Sequence, residues 1–351
     1  MTISAFTTGG MIIDNMVTWD GALARNLMGG NAVYSAVAAS LWLDDVGLSV
    51  RIPQNYPAAA RQALLSAALD LEGLVIETVD VLRSEWFFHR RDGSRVDHLH
   101  AAPGEADAFG MTGDQVAPDL VRRFEALLRM QTQTGDDFKA FRAAHPVTVD
   151  QVPPRYWQAK GVHIGPNLPD AQIGLARQAR SHGLVVTCDP GFHAAHLGQL
   201  QLDELLGLVD VFLPSEKELA LLCPGAEPDA ALLQLSQRAR AIVGVKCGSK
   251  GAIVLPKGQK SPIHVPVLPV EVLDPTGAGD AFCGGFLAGL LLGDDAFKAG
   301  LRGAVSASLA IETAGALPKP AARHEAMKRL GQAISRAALS IQIAPPVDRA
   351  T

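Results

Sequence analysis

The sequence predicts an α/β protein whose central, mostly parallel sheet is covered by helices on both faces. Three observations carry this. From Val162 onward, short apolar runs of strand length alternate with stretches of helical periodicity, the pattern of a parallel sheet with crossover helices. The chain has 351 residues, 48% of them hydrophobic and only 5% aromatic, so it can bury a sizeable core built mainly from Ala, Leu and Val. Late in that alternation a glycine-hinged turn, Asp274-Pro275-Thr276-Gly277-Ala278-Gly279-Asp280, runs straight into the apolar stretch Ala281 to Leu292.

The elements follow in chain order. Ile3 to Thr8 reads as a first strand, broken by Gly9-Gly10 and followed by the short strand Met11-Ile12-Ile13-Asp14. Met28-Gly29-Gly30-Asn31 precedes an apolar helix from Ala32 to Leu43. Val46 to Ile52 is a strand and Ala58 to Leu71 a helix. Residues 74 to 100 are β-rich, and Arg91-Asp92-Gly93-Ser94 reads as a tight hairpin turn, because Asp-Gly accepts positive φ. Residues 104 to 146 read as a helical insertion with one apolar stripe, Leu120, Val121, Phe124, Leu127 and Leu128. Strands are then expected at Val162 to Ile164, Leu184 to Cys188, Val209 to Leu213, Ala241 to Lys246 and Ala252 to Leu255. Helices are expected at Asp170 to His182, Leu200 to Leu208, Pro228 to Ala239, Phe297 to Thr313 and Ala321 to Leu339. Ligands should lie at the carboxyl ends of such strands, where Gly165-Pro166-Asn167, Asp189-Pro190 and Ser215 to Glu218 fall.

Composition excludes several classes. A net charge of −5 without a long basic run argues against nucleic acid as the main partner. No apolar run is long enough to span a membrane, and Met1 to Phe6 lacks the features of a secretion signal. Cys188, Cys223, Cys247 and Cys283 are far apart and read as reduced, buried thiols of a cytoplasmic protein. His98 and His100 share a strand face but have no third partner in view, so solvent-facing histidines are the better reading. Arg90, Arg91 and Arg95 could meet an anionic substrate, although such arginines mostly face water.

The 274–280 turn carries the chemistry. Glycines let backbone N–H groups converge, and the first amides of a helix, with its dipole, favour an anion. Together these make a phosphate site. A carboxylate beside it would repel phosphate unless it removes a proton from the attacking group, and Asp280 is such a carboxylate. An Asp N-cap after a glycine turn is the plainer alternative; the full heptad and its trailing Gly284-Gly285-Phe286 outweigh it. Other phosphate motifs fail: no stretch reads G-x-x-x-x-G-K-[ST], and Phe282 stands where a dinucleotide fingerprint wants Gly.

This heptad resembles the C-terminal signature of the PfkB, or ribokinase-like, family of sugar and nucleoside kinases, and the resemblance runs roughly from Phe6 to Ala316 apart from the insertion. It implies a single kinase domain over 1–351, with a small β-sheet lid (about 12–20 and 74–100) and the helical insertion (about 104–146). It implies Asp280 as general base, with Gly277, Ala278 and Gly279 as the anion hole. The opening resembles the family's strand, glycine turn and short strand, so Asp14 inherits the binding of acceptor hydroxyls, and two adjacent hydroxyls suit a carboxylate. Gly29, Gly30 and Asn31 match the N-terminal signature, where two glycines let the substrate press against backbone. Tyr34 and Ile12 stand where ribokinase has asparagines, so Tyr34 is expected to touch a different substrate or to pack.

The nucleotide loop is expected at Lys246, Gly248 and Gly251, with Thr276, Gly277 and Gly279; Lys246 and Lys250 could reach a phosphate. Glu218 and Ser215 stand where the family has Glu and Asn organising the magnesium–water shell, and a helix N-cap is a second role open to Ser215. Asp189-Pro190-Gly191-Phe192-His193 departs from the usual Asp-Pro-Asn-x-Arg. The resemblance thus implies ATP-dependent phosphorylation of a hydroxyl on a sugar or sugar-like molecule, with Mg²⁺, room for K⁺, and a homodimer by analogy. A nucleoside kinase of the same fold and a non-catalytic sugar or nucleotide sensor are the alternatives.

Overall fold

The computed structural model describes residues 2–18, 23–81, 85–89, 95–96, 119, 122, 138–317 and 321–343. Its strands are β1 (Ala5–Thr8), β2 (Ile12–Thr18), β3 (Leu23–Gly29), β4 (Val46–Pro53), β5 (Leu74–Glu77), β6 (Glu85–His89) and β7 (Arg95–Val96). They continue as β8 (Gly161–Ile164), β9 (Val185–Cys188), β10 (Val211–Phe212), β11 (Ile242–Lys246), β12 (Ala252–Pro256) and β13 (Ile263–Val265).

Nine of them form one sheet in the order β13-β12-β11-β10-β9-β8-β1-β4-β5. From β5 to β11 neighbours run parallel, and β12 and β13 are added antiparallel at the edge. The parallel centre is buried on both faces: every residue of β1 and β8 is buried. One face carries the helices Asn31–Ser40, Ala278–Leu291, Ala296–Ala310 and Ala322–Ile343, which share one apolar cluster. The other carries Pro169–Ser181, Gln199–Leu208 and Pro228–Arg238 in a second cluster with Phe6, Tyr156 and Trp157.

The strand order reverses beside β1. The chain steps from β1 to β4 on one side and later to β8 on the other, so the crevice at the carboxyl ends of β1 and β8 is the topological switch point.

A second sheet has four strands in the order β3-β2-β6-β7. It takes in much of the segment expected as a lid, with two differences. Leu74–Glu77 pairs parallel with Val50–Pro53 and extends the main sheet instead. Leu23–Gly29, which the sequence reading passed over, pairs antiparallel with β2 and supplies the small sheet's edge. The helix expected to reach Leu71 ends at Leu65, where Ser66 caps it and Ala68 turns the chain at φ 54°.

Of the insertion, a helix Phe138–Ala144 is described, and Asp119 and Arg122 are helical. The Asp92-Gly93 turn, Arg90, Arg91, His98, His100 and the rest of 104–137 lie outside the described residues. All four cysteines are buried and free. No helix among the described residues is long and apolar enough to cross a membrane.

Candidate active site

Gly277 is the N-cap of the helix Ala278–Leu291 and sits at φ 75°, ψ 0°, a left-handed conformation that glycine adopts without penalty. The turn is tied from behind by the Asp274 carboxylate, whose Oδ1 accepts from Thr276 N at 2.9 Å. His89, on the small sheet, approaches the same oxygen through Nε2 at 3.4 Å. The Asp280 side chain lies half-buried in the helix's first turn, and its backbone carbonyl accepts from Ser35 Oγ at 2.9 Å. That bond couples the turn to the N-terminal helix. The coupling is close: a Cβ on Gly284 would lie 2.1 Å from the Ser35 carbonyl oxygen, so the glycines after Asp280 allow helix-to-helix contact.

Tyr34 is buried with its ring against Gly277, and a Cβ there would lie 2.3 Å from the ring carbons. It therefore underlies the signature turn. On its other side it lines a cavity of about 220 Å³ with Ala281, Ser306, Ala310, Glu312 and Arg329. Residues of the Ala296–Ala310 helix thus wall a cavity beside the signature turn.

Across the carboxyl ends of β9 and β11, the Lys246 ammonium is bonded to the Asp189 carboxylate, with only 11% and 4% of the two side chains exposed. Lys246 Nζ also lies 3.8 Å from Cys283 Sγ, and a Cβ on Gly279 would lie 3.6 Å from it. Burial alone would lower the ammonium's pKa, but Asp189 above all, with Cys283, Glu218 and Asp280, holds it well above its usual range. Lys246 is thus a permanent cation beside the signature turn. Glu218 closes the cluster. Its carboxylate accepts from Ser215 N at 2.6 Å while Ser215 Oγ accepts from Glu218 N at 3.4 Å, a reciprocal capping box. Burial, then the charge on Asp189, pushes its carboxyl pKa up. Lys250, by contrast, is exposed and pairs with Glu216 at 3.3 Å. Gly248 and Gly251 turn the adjoining loop at φ 56° and 92°.

The expected acceptor residues gather around the switch point. Asp14 is buried on β2, and its Oδ2 would lie 1.8 Å from a Cβ on Gly29. Asn31 Oδ1 accepts from Gly10 N at 2.8 Å and so pins the Gly9-Gly10 turn after β1. Both glycines sit where a side chain would not fit. The space beside Gly29 holds the Asp14 carboxylate, and a Cβ on Gly30, at φ 107°, would lie 2.5 Å from the Gly10 carbonyl oxygen. Sequence reasoning also missed the Lys246–Asp189 pair and Ser35.

Residues 151–322 match the model of the pfkB family carbohydrate kinases. The cytidine kinase of Thermococcus kodakarensis is 29% identical over 284 residues, 80% of this chain and 86% of that enzyme. The ATP-dependent ribose-1-phosphate kinase of Halopiger xanaduensis is 36% identical over 45% of this chain and 49% of its own length. A putative ribokinase II from E. coli, solved with ATP and Mg²⁺, superposes with TM-score 0.64 at 18% identity, covering 95% of this chain and 99% of that one. The signature turn, the parallel sheet with its small companion and these relatives agree: residues 151–322 match the pfkB family carbohydrate kinases, and the chain is similar to these ribokinase-like phosphotransferases, which act on a hydroxyl group.

Proposed function

We propose that this protein transfers a phosphoryl group from ATP to a hydroxyl of a sugar or sugar-containing small molecule, with Asp280 as general base. The observation that carries the reading is the pairing of a half-buried carboxylate with the left-handed Gly277 turn in one helical first turn. Asp280 takes the hydroxyl proton as the oxygen attacks, and the amides at Gly277, Ala278 and Gly279 meet the charge spread over the transferring phosphoryl. Lys246 adds a fixed positive charge on the same side, and Gly248 and Gly251 shape the nucleotide loop. Thr276 belongs to that nucleotide side, while Asp14 and Asn31, with Gly29 and Gly30 packed behind them, position the acceptor. Tyr34 supports the turn from beneath.

The residues present fit a magnesium ion bound mostly through water. Among the described residues no group of three His, Cys, Asp or Glu side chains is gathered for direct ligation. Burial first, and the charge of Asp189 second, raise the Glu218 pKa, and a cation held beside it through water would offset both. Glu218 and Ser215 would hold such an ion through its waters. When bound with ATP it would neutralise phosphate charge. A monovalent cation such as K⁺ near the turn, a dimer through the small sheet and a cytoplasmic setting belong to the same reading by family analogy.

A nucleoside acceptor is the second reading, favoured by the cytidine kinase that matches over 80% of the chain. Both readings place a ribose-like hydroxyl at Asp280. The test is ADP release from ATP and Mg²⁺ across a panel of sugars, sugar acids, polyols, sugar phosphates and nucleosides, with and without K⁺. Wild type should turn over at least one class. Asp280→Asn should lose roughly 10²–10⁴-fold in turnover with ATP affinity nearly unchanged. Full turnover in Asp280→Asn would remove Asp280 from the base role.

A further inference from the structure

The small sheet and the signature turn meet at a buried contact. His89 ends β6 and Asp274 opens the turn; their side chains are only 6% and 4% exposed, with Nε2 3.4 Å from Oδ1. That separation lies just beyond an ordinary hydrogen bond. An Nε2–H, present in one neutral tautomer and in the cation alike, would give the carboxylate a donor. Asp274 is held from two other directions. Its backbone N donates to the Ile311 carbonyl at 3.1 Å, beside Leu273 N at 2.8 Å, and its Oδ1 accepts from Thr276 N at 2.9 Å. The oxygen that His89 approaches is therefore the one that fixes the residues leading into Gly277.

The same face of the small sheet carries Asp14. Strands β2 and β6 run parallel in continuous register, from Asp14 beside Glu85 to Thr18 beside His89. Side chains alternate along each strand, so Asp14, Met16 and Thr18 share a face with Phe87 and His89. Asp14, Met16, Phe87 and His89 are all buried. Four residues separate the rows of Asp14 and His89, about 13 Å of strand. Met16 and Phe87 fill that interval with apolar side chains, and polar groups stand at its ends. Nothing in the strand chemistry of β6 asks for a histidine. Trp86, Phe87 and Phe88 precede it, and an apolar residue at 89 would bury at a lower desolvation cost.

We infer that His89 is a positioning residue: it fastens the small sheet to Asp274 and so holds the acceptor end of the site in line with the signature turn. This rests on the proposed function, in which Asp14 binds the acceptor and the turn meets the transferring phosphoryl, and it adds how the two are kept in register. A paired strand moves as a unit, so loss of the anchor at one end lets the whole face drift from the turn. A misplacement of about 1 Å between reacting groups can cost on the order of 10²-fold.

His89→Gln and His89→Asn test this as a pair. Gln carries its amide N–H at the reach of Nε2, whereas Asn stops near the position of Nδ1. Both are polar and smaller than His, so they differ chiefly in reach. Hydrogen–deuterium exchange, read by mass spectrometry without nucleotide or acceptor, follows the peptides spanning 85–89 and 274–280. His89→Asn should exchange in both at least about fivefold faster than wild type, and His89→Gln within about twofold of it, with the β8 to β11 peptides alike in all three proteins. With an acceptor that wild type turns over, kcat should fall roughly tenfold in His89→Asn at nearly unchanged KM for ATP, and His89→Gln should recover most of it. Exchange at 274–280 indifferent to both substitutions overturns the inference. So does equal damage by Gln and Asn, which would make His89 a packing residue. Should both variants unfold, Asp274→Asn takes their place, since it keeps an oxygen for Thr276 N. The 85–89 peptide then loosens if the contact anchors the sheet, and unchanged protection overturns the inference. Exchange involves no phosphoryl transfer, so silence in the ADP-release panel counts against the kinase reading and leaves this test standing.

Discussion

Lys246 and Asp189 stand 57 residues apart in the chain, and their charged ends are bonded to each other beneath the signature turn, with both side chains nearly withdrawn from solvent. The pair joins β9 to β11 across the intervening β10. It also sets the charge of the site. Asp189, Glu218 and Asp280 all act on Lys246, so one ammonium offsets several carboxylates before any nucleotide arrives.

That arrangement predicts strong coupling. A buried pair that loses one partner leaves a lone charge in low dielectric, at a cost of about 3–5 kcal/mol. Lys246→Met and Asp189→Asn should each lower unfolding stability by roughly 3 kcal/mol, and the double variant should lose clearly less than the sum. Urea unfolding of all four proteins measures this as a double-mutant cycle. Additive losses would show that the two charges do not depend on each other.

Some of the site was legible because local backbone chemistry demands particular residues. Gly277 must turn left-handed to cap its helix, and the alternation of β8 to β11 with helices follows from burial on both sheet faces. Other features belong to the tertiary fold. Whether Tyr34 meets substrate or packs beneath Gly277 depends on how the Asn31–Ser40 helix approaches a turn more than 240 residues later, as the Ser35–Asp280 separation of 245 shows. That Gly29 packs against the Asp14 carboxylate shows only in the fold. The short β3 was missed because Leu23–Gly29 includes Arg25 and Asn26, the latter at φ 57°, which interrupt strand periodicity.

Gly277→Ala separates geometry from chemistry. The new methyl would lie 2.3 Å from Tyr34, and φ 75° costs alanine about 1–2 kcal/mol. The turn must shift, and the anion-binding amides with it. Turnover should fall on the order of 10²-fold, the scale of losing one oriented donor, while thermal unfolding drops only a few degrees. Tyr34→Ala in the same chain removes the steric conflict but keeps the backbone strain, so it should restore part of the turnover. No restoration would place the defect in the backbone conformation alone.

His163 supplies a pH signature. It is fully buried on β8 with Nδ1 2.9 Å from Thr187 Oγ1. Burial chiefly, with Lys246 assisting and Asp189 opposing, lowers its pKa from 6.5 to about 4. The unfolded chain therefore takes up a proton near pH 6.5, whereas the folded protein refuses it until about pH 4. Across that window the unfolded state binds more protons, so stability falls as the solution is acidified and is unaffected by this group above it. At 1.36 kcal/mol per pH unit the full effect is about 3 kcal/mol. His163→Gln should remove this component. Urea midpoints at pH 7.5, 5.5 and 4.5 should then decline more steeply for wild type than for the variant. Parallel declines would mean that His163 accepts its proton in the folded protein, and that the β8–β9 interior admits more water than its burial implies.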